Sequence, residues 1–150
     1  MNFVISFILE LSGMEEQDSF RFMIDFWTKK TNLYFGMYVD GFLLLRFLTY
    51  SYHKLLKEEN HELEVYFVKN KILDELWIFQ WFLTLFSQTS RKEFLLRIFD
   101  YLIINDCFGL VYIALEITEQ IKKMILNSPP ELMMTKLKNL DDVFKEVDFY

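Results

Sequence analysis

Two apolar runs joined by a short polar turn occupy the middle of the sequence, WFLTLFSQTSRKEFLLRIFDYLI over residues 81–103. Neither run reaches the roughly 20 apolar residues that a membrane-spanning helix needs. Neither has a polar face wide enough for an isolated surface helix, because apolar side chains recur on nearly every side. The stretch therefore predicts two helices that other parts of a fold, or another molecule, must cover.

The composition favours one helical domain. The chain has 150 residues, which is enough for a single domain with its own core. Its 53% hydrophobic and 19% aromatic content exceeds that of an ordinary soluble domain, so either the core is dense or a partner covers part of the surface. With only 4 Gly and 2 Pro, the sequence has few turn signals and favours long helices.

Charge and targeting patterns weigh against several classes of protein. The net charge is −6 and no cluster of Lys and Arg alternates with aromatic residues, so we expect no nucleic-acid partner. Residues 1–13 lack a basic start, and Glu10 interrupts their apolar run, so we expect no signal peptide. The long apolar stretches 36–56 and 94–117 each carry several charged residues, so we expect no membrane-spanning helix.

Start signals and apolar spacing divide the chain into helices. Ser12 and Glu15 have the S-x-x-E spacing of a capping box, which predicts a helix over about 15–29. Its apolar residues recur at helical spacing and predict one buried stripe. The predicted stripe consists of Phe20, Met23, Ile24 and Trp27.

The middle of the chain predicts three further helices. One lies near 38–58, and residues 61–71 favour a short helix because no partner strand is predicted. Asp74 is the predicted cap of DELWIFQWFLTLFS, a helix that is apolar all round and therefore central, with Trp77 and Trp81 in the core. The inward side of the 38–58 helix is predicted to be Phe42, Leu45, Leu48 and Leu55.

The remaining helices follow the polar turn. Ser90 and Glu93 form another predicted capping box, and a further helix is predicted over 108–126. The sequence SPPE at 128–131 restarts a helix, and the last ten residues form an acidic tail that docks or frays. The prediction is an all-α fold, a compact array of about eight helices.

The sequence carries no pattern of a catalytic, cofactor or metal site. Phosphate-loop, dinucleotide and nucleophile-elbow motifs are absent. His53 and His61 lie eight residues apart in a polar stretch without a second ligand one turn away, so we expect surface residues. The single cysteine, Cys107, leaves no internal disulfide, fits a reducing compartment and is expected to be buried. We therefore predict no catalytic residue, no cofactor, no metal and an intracellular location on the cytoplasmic side.

The order of motifs along the chain carries a family resemblance. The stretch WFLTLFS at 81–87, followed by a short turn and LRIFD at 96–100, resembles the C-terminal half of TBC domains, which read W-F-x-x-x-F and then R-I-W-D. Arg97, Ile98 and Asp100 match that motif, and Phe99 replaces its Trp. The resemblance implies an all-helical domain of the class that activates Rab-type GTPases.

Other segments extend the resemblance over about residues 1–126. Residues 114–117 (ALEI) are similar to the family's A-L-A-I-L, and the first residues, MNFVISFIL, are similar to its M-N-F-V-A-x-L-L-L. Glu15, Glu16 and Phe20 fit its E-E-x-A-F-W helix. The predicted division is a TBC-like helical domain over 1–126 and a C-terminal helix with an acidic tail over 127–150.

The family's two catalytic motifs have no counterpart in this sequence. In the family, a Y-x-Q-G glutamine directly precedes M-N-F, and an arginine in I-x-x-D-x-x-R lies further upstream. No Tyr in this chain is followed two places on by Gln, and the only I-x-x-D, Ile103 to Asp106, leads to Gly109 where the arginine would stand. An arginine finger is worth roughly 10³–10⁵ in rate. The resemblance therefore implies that this polypeptide alone does not accelerate GTP hydrolysis.

The resemblance covers only the C-terminal half of TBC domains, and the lack of a counterpart to their N-terminal half implies a partner. In the family it covers apolar surface on the helices equivalent to 1–12 and 76–86, and exposing ~600 Å² of such surface forfeits on the order of 15 kcal/mol of burial. Another chain, segment 127–150 or a second copy must cover that surface, and we favour another chain. The candidate partner interface is Asn2, Phe3, Ile5 and Phe7.

Several functions stay open at this stage. The favoured one is a catalytically inactive, truncated TBC-like domain that serves as a structural subunit of a larger assembly. One alternative is a part of a Rab-type GTPase-activating protein whose catalytic Arg and Gln lie on another chain or upstream. In a second, Met1 is an internal methionine of a longer, active protein. The last is an unrelated small helical enzyme. A Rab-family GTPase is a further candidate partner.

Overall fold

A computed structural model describes residues 2–13, 15–28 and 34–146. These ranges contain ten α-helices and no β-strand, which confirms the predicted all-α fold. Three short 3₁₀ turns, Phe35–Met37, Asp74–Leu76 and Asp106–Phe108, separate some of them. The helices are α1 Asn2–Ser12, α2 Glu16–Thr28, α3 Leu43–Glu59, α4 His61–Lys69, α5 Ile78–Leu83, α6 Lys92–Asn105, α7 Gly109–Gln120, α8 Lys122–Asn127, α9 Pro130–Lys138 and α10 Leu140–Glu146.

The apolar segment around α5 is the centre of the core, as its all-round hydrophobic pattern predicted. The side chains of Trp77, Trp81, Phe82 and Phe86 have 0–1% of their surface exposed. The Trp81 Nε1–H donates a hydrogen bond of 2.8 Å to the carbonyl oxygen of Leu137 in α9. Trp77 packs instead on Tyr52 and Phe67. The chain's own residues therefore bury these four rings, and the expectation that another chain covers residues 76–86 is wrong for this part of the surface.

A second aromatic cluster joins α1, α2 and α6. The ring centroids of Phe7 and Phe99 lie 5.0 Å apart, and those of Phe26 and Phe99 lie 5.9 Å apart. Tyr34 stacks on Phe26 at 4.7 Å, and its hydroxyl donates to the carbonyl oxygen of Leu102 at 3.1 Å. Phe99, which replaces the family's Trp, therefore still supplies an aromatic ring where three helices meet.

The buried face of α2 differs from the predicted stripe. Phe20 is 56% exposed and Ile24 is 41% exposed, so both predictions are wrong, whereas Trp27 is buried. The buried residues of α2 are Ser19, Phe26 and Trp27, and the partly buried Met23 packs against the hydrophobic core. This side of α2 is buried because Phe26, and not Phe20, packs on the rings of Tyr34 and Phe99.

The helix predicted near 38–58 begins later than its pattern suggested. Helix α3 starts at Leu43, because Phe42 has a left-handed backbone with φ of 51°. Phe42 is consequently exposed rather than inward, whereas Leu45 and Leu48 are fully buried as predicted and Leu55 is half-buried. The short helix predicted over 61–71 is confirmed as α4.

Two predicted helix caps are wrong. Helix α6 is preceded by Arg91, which caps it without a side-chain hydrogen bond, and the buried hydroxyl of Ser90 has no partner among the described residues. Asp74 lies in a 3₁₀ turn, helix α5 begins four residues later, and the Asp74 carboxylate binds a histidine instead. The Ser12–Glu15 box depends on the Ser12 side chain, which lies outside the described residues.

The C-terminal part is more helical than predicted. The helix expected over 108–126 is two helices, α7 and α8, separated at Ile121. Helix α10 runs through Glu146 within the predicted tail, and Leu140 and Val143 are buried. The division at residue 126 stays a prediction, although the hydrophobic cluster continues across it without a break.

Segment Lys92–Gln120 is the one part of the described chain that is long and apolar enough to cross a bilayer by length and composition. Half of its most apolar window is buried inside this fold. A core helix of a soluble protein has the same properties, so this segment is weak support for a membrane span.

Candidate protein-interaction groove

An open groove of about 650 Å³ lies between α6, α7 and the C-terminal end of α3. Its floor is apolar, because Leu56, Ile98 and Ile117 contribute buried side chains to it. Exposed residues of both helices form its walls. We call this the α6–α7 groove; its other lining residues are Glu59, Asn60, Phe94, Arg97, Tyr101, Tyr112, Ile113, Leu115, Glu116 and Glu119.

A sharp break between α6 and α7 shapes the groove. Asp106 has φ of 55° and ψ of −162°, a conformation that ends α6 and redirects the chain. Gly109 then opens α7 so close to α6 that an added Cβ would lie 3.1 Å from Leu102 Cδ2. A glycine here therefore lets the two helices approach closely, and residues of both line one surface.

Hydrogen bonds from α3 fix the back of the groove. The hydroxyl of Tyr52 donates to Thr118 Oγ1 at 3.3 Å, and both side chains are fully buried. The amide of Asn60, which is buried, donates from Nδ2 to the Glu119 carboxylate. These bonds hold the end of α3 against α7, so the groove is formed without a partner.

The walls change in chemistry along α7. Tyr112 and Tyr101 are 54% and 40% exposed, and both line the groove near the junction of α6 and α7. Glu116 and Glu119 follow on the next turns of α7, and exposed Glu59 lies beside Asn60 at the same end. Arg97 is the only basic residue in the lining, so three carboxylates against one guanidinium leave a charge of −2. The groove is therefore apolar with an acidic end.

The signal that could have found this groove is a charge placed inside an apolar run. Arg97 interrupts FLLRIF and Glu116 interrupts ALEIT, and both turn out to line the groove. Helical spacing shows that such a residue faces water, but it does not show that two such residues from different helices face each other.

A charged cluster around His53 was not predicted from the sequence. His53 is half-buried, so the prediction of a surface residue is wrong. Its Nδ1 lies 2.7 Å from Glu64 Oε2 and its Nε2 lies 2.8 Å from Asp74 Oδ1. Burial alone would lower the pKa of His53, but the hydrogen bonds that its ring donates to the carboxylates of Asp74 and Glu64 outweigh burial and raise that pKa above its ordinary value. The cluster ties α3, α4 and the Asp74–Leu76 turn together. His61 is exposed as expected.

The four predicted interface residues belong to α1, and the structure describes the side chains of two of them, Ile5 and Phe7. Phe7 is 7% exposed and packs on Phe99, so this structure does not present it to a partner. Ile5 is half-buried. The side chains of Asn2 and Phe3 lie outside the described residues. Of the two described side chains, Phe7 therefore does not belong to a free surface, and the role of all four residues in an interface stays a prediction.

The single cysteine, Cys107, lies in the short turn between α6 and α7. Cys107 is buried, and its burial followed by the charge of Asp106 raises the pKa of the thiol to about 11. It is therefore the inert buried residue that was predicted. Among the described residues no group of three or more His, Cys, Asp or Glu side chains is placed to hold a metal ion.

Comparison with protein families matches residues 1–126 to the Rab-GTPase-TBC domain. That match covers most of the 150 residues, so the chain belongs to the Rab-GTPase-TBC domain family. No curated protein matches the sequence at a significant level.

Proposed function

We propose that this TBC-family polypeptide is a catalytically inactive, intracellular subunit that binds other proteins within a larger assembly. The observation that carries the proposal is the sequence around the one I-x-x-D, where Ile103 and Asp106 are followed by Gly109 instead of an arginine.

The absence of a glutamine two places after any Tyr supports the same proposal. Catalysis by this class depends on positioned charge at the transferring phosphoryl group, and removing an arginine finger forfeits roughly 10³–10⁵ in rate. The binding role is supported by the preformed α6–α7 groove, in which large apolar side chains remain accessible.

A GTPase assay tests the inactive state. Purified Rab GTPases loaded with GTP are incubated with and without the chain, and release of phosphate is followed under single-turnover conditions. An active TBC-domain protein serves as the positive control. We expect the rate to stay within about twofold of intrinsic hydrolysis, because neither finger is present.

Acceleration by the purified chain would overturn the proposal. Acceleration that requires a second natural polypeptide would establish the alternative, a split Rab-type GTPase-activating protein. The binding role is tested by isolating the tagged protein from its source under mild conditions. We expect it to elute well above its own mass of 18.3 kDa, together with defined partners in fixed ratio.

A further inference from the structure

We propose that the α6–α7 groove binds a basic amphipathic helix of a partner protein. The inference rests on the proposed function as an interaction subunit and names the chemistry of the partner. It follows from three properties of the groove: its apolar floor, its acidic end and the secondary structure around it.

The apolar floor requires a ligand with bulky apolar side chains. Leu56, Ile98 and Ile117 close the floor and are themselves only 1–3% exposed. The accessible apolar surface, from which water gains no hydrogen bond, comes from the half-buried Phe94 and Ile113 and from the two exposed tyrosine rings of the walls. A volume of about 650 Å³ accommodates several large side chains. A ligand that places such side chains here removes apolar surface on both partners from water.

The surrounding helices favour a helical ligand over an extended one. An extended peptide gains affinity by adding its backbone to an exposed sheet edge. The described ranges contain no β-strand, so the groove offers no such edge. A helix satisfies its own backbone hydrogen bonds and can lay an apolar face between α6 and α7.

The charge of the walls favours Lys and Arg on the ligand. Glu59, Glu116 and Glu119 outnumber the single Arg97, and the whole chain carries −6. Hydrogen bonds from Gln120 to Glu116 and from Asn60 to Glu119 orient two of these carboxylates but do not neutralise them. An acidic ligand would be repelled, so charge selects a basic partner.

The two ends of the groove also fix the orientation of the ligand. The tyrosine end is continuous with more exposed aromatic surface, since Phe108 lies one turn before Tyr112 and its ring is 6.3 Å from that of Phe47. The acidic end begins one turn further along α7, at Glu116, and continues at Glu119 on the turn after that. The apolar part of the bound helix should therefore lie near the tyrosines and its cationic residues near the carboxylates.

Peptide binding tests this inference directly. A fluorescently labelled helix of about 18 residues carries Leu on one face and Lys on the other. It is compared by anisotropy with a version in which every Lys is replaced by Glu and with a scrambled version of the same composition. We expect the Lys helix to bind the full chain at least about tenfold more tightly than either control, and added salt to weaken it.

Two variants of the chain locate the binding site. Glu59→Lys/Glu116→Lys reverses two charges in the groove, and Glu16→Lys/Glu75→Lys makes the same change at exposed residues outside it. Both variants have a formal net charge of −2, because two Glu→Lys changes add four to −6. We expect the groove variant to lose at least about tenfold in affinity and the matched variant to stay within about twofold.

Equal losses in both variants would overturn the inference, because they would show attraction to the net charge alone. No loss in the groove variant, or equal binding of the Glu peptide, would also overturn it. Circular dichroism checks folding, and Glu59→Gln/Glu116→Gln replaces the groove variant if lysine unfolds it. Peptide binding is independent of the GTPase assay, so GTP hydrolysis by the chain would overturn the proposed function while leaving the groove result in place.

Discussion

Single tyrosine hydroxyls join parts of the chain that lie far apart in sequence. Tyr38 donates to the carbonyl oxygen of Leu83 at 2.6 Å, and Tyr66 donates to that of Ser128 at 2.7 Å. Burial raises the pKa of Tyr38 to about 12, so its hydroxyl remains a donor throughout the physiological range. Each such bond satisfies a polar atom that burial would otherwise leave unpaired.

His53 makes the stability of this protein depend on pH. Its pKa is raised in the folded state by Asp74 and Glu64, which hold both ring nitrogens despite the opposing effect of burial. A raised folded pKa means that the charged histidine stabilises the fold below its unfolded pKa of about 6.5. That contribution is lost as the pH rises through the folded pKa.

We expect His53→Gln to destabilise the protein most near pH 6 and progressively less towards pH 9. The free energy of unfolding from urea titrations at each pH measures this difference. His61→Gln is the matched control, because His61 is exposed on the neighbouring helix. A His53→Gln cost that does not change with pH, or that grows as the pH rises, would contradict the assignment of a charged His53.

Burial was predicted correctly for a helix that is apolar on every side, and less well for a helix with both apolar and polar sides. The segment containing Trp81 and Phe86 had to be central, because no rotation could place all of its apolar residues in water. Helix α2 has apolar residues in two overlapping stripes, and only the rings of Tyr34 and Phe99 decide that Phe26 faces inward. Those rings come from other parts of the chain, so local spacing could not choose between the stripes.

Contacts distant in sequence explain what else was missed. His53 meets Glu64 and Asp74, which lie 11 and 21 residues away, and no local pattern links the three. The groove likewise needs α3, α6 and α7 together, although Arg97 and Glu116 were visible as interruptions of apolar runs. Fold class follows from composition and periodicity, whereas a site built from three helices requires their arrangement.

The junction between α6 and α7 stores backbone strain in Asp106. Its φ of 55° with ψ of −162° lies in a region that residues with a Cβ rarely adopt, at a cost of about 1–3 kcal/mol. Its Oδ1 is also buried without a hydrogen-bond partner among the described residues. We expect Asp106→Gly to stabilise the protein by about 1 kcal/mol, after the greater freedom of glycine in the unfolded chain is subtracted.

Asp106→Ala separates the backbone effect from the carboxylate. Alanine removes the buried oxygen but retains a Cβ in the strained conformation, so we expect it to gain less than glycine. Denaturant midpoints at unchanged m-value give both differences. Equal stabilisation by Ala and Gly would show that the buried carboxylate, and not the backbone, is the source of the cost.

At the scale of the whole molecule, one hydrophobic cluster extends from α1 to α10. Val4 near one end and Val143 near the other belong to the same cluster of buried side chains. Leu137 lies in it and also supplies the carbonyl that Trp81 binds, so α9 completes the core around α5. The family match ends at residue 126, but the packing that stabilises the matched part continues beyond it.

This shared core predicts a single cooperative unfolding transition. We expect tryptophan fluorescence, which reports on the three Trp residues of the chain, and far-ultraviolet circular dichroism to give the same midpoint. Leu137→Asp places a charge in a fully buried position of α9 and should lower both midpoints together, whereas Leu132→Asp, at a position 48% exposed on the same helix, should leave both nearly unchanged. If Leu137→Asp instead unfolded α9 and α10 while the tryptophan signal kept its midpoint, the C-terminal segment would be a separate unit and another molecule would have to cover Trp81.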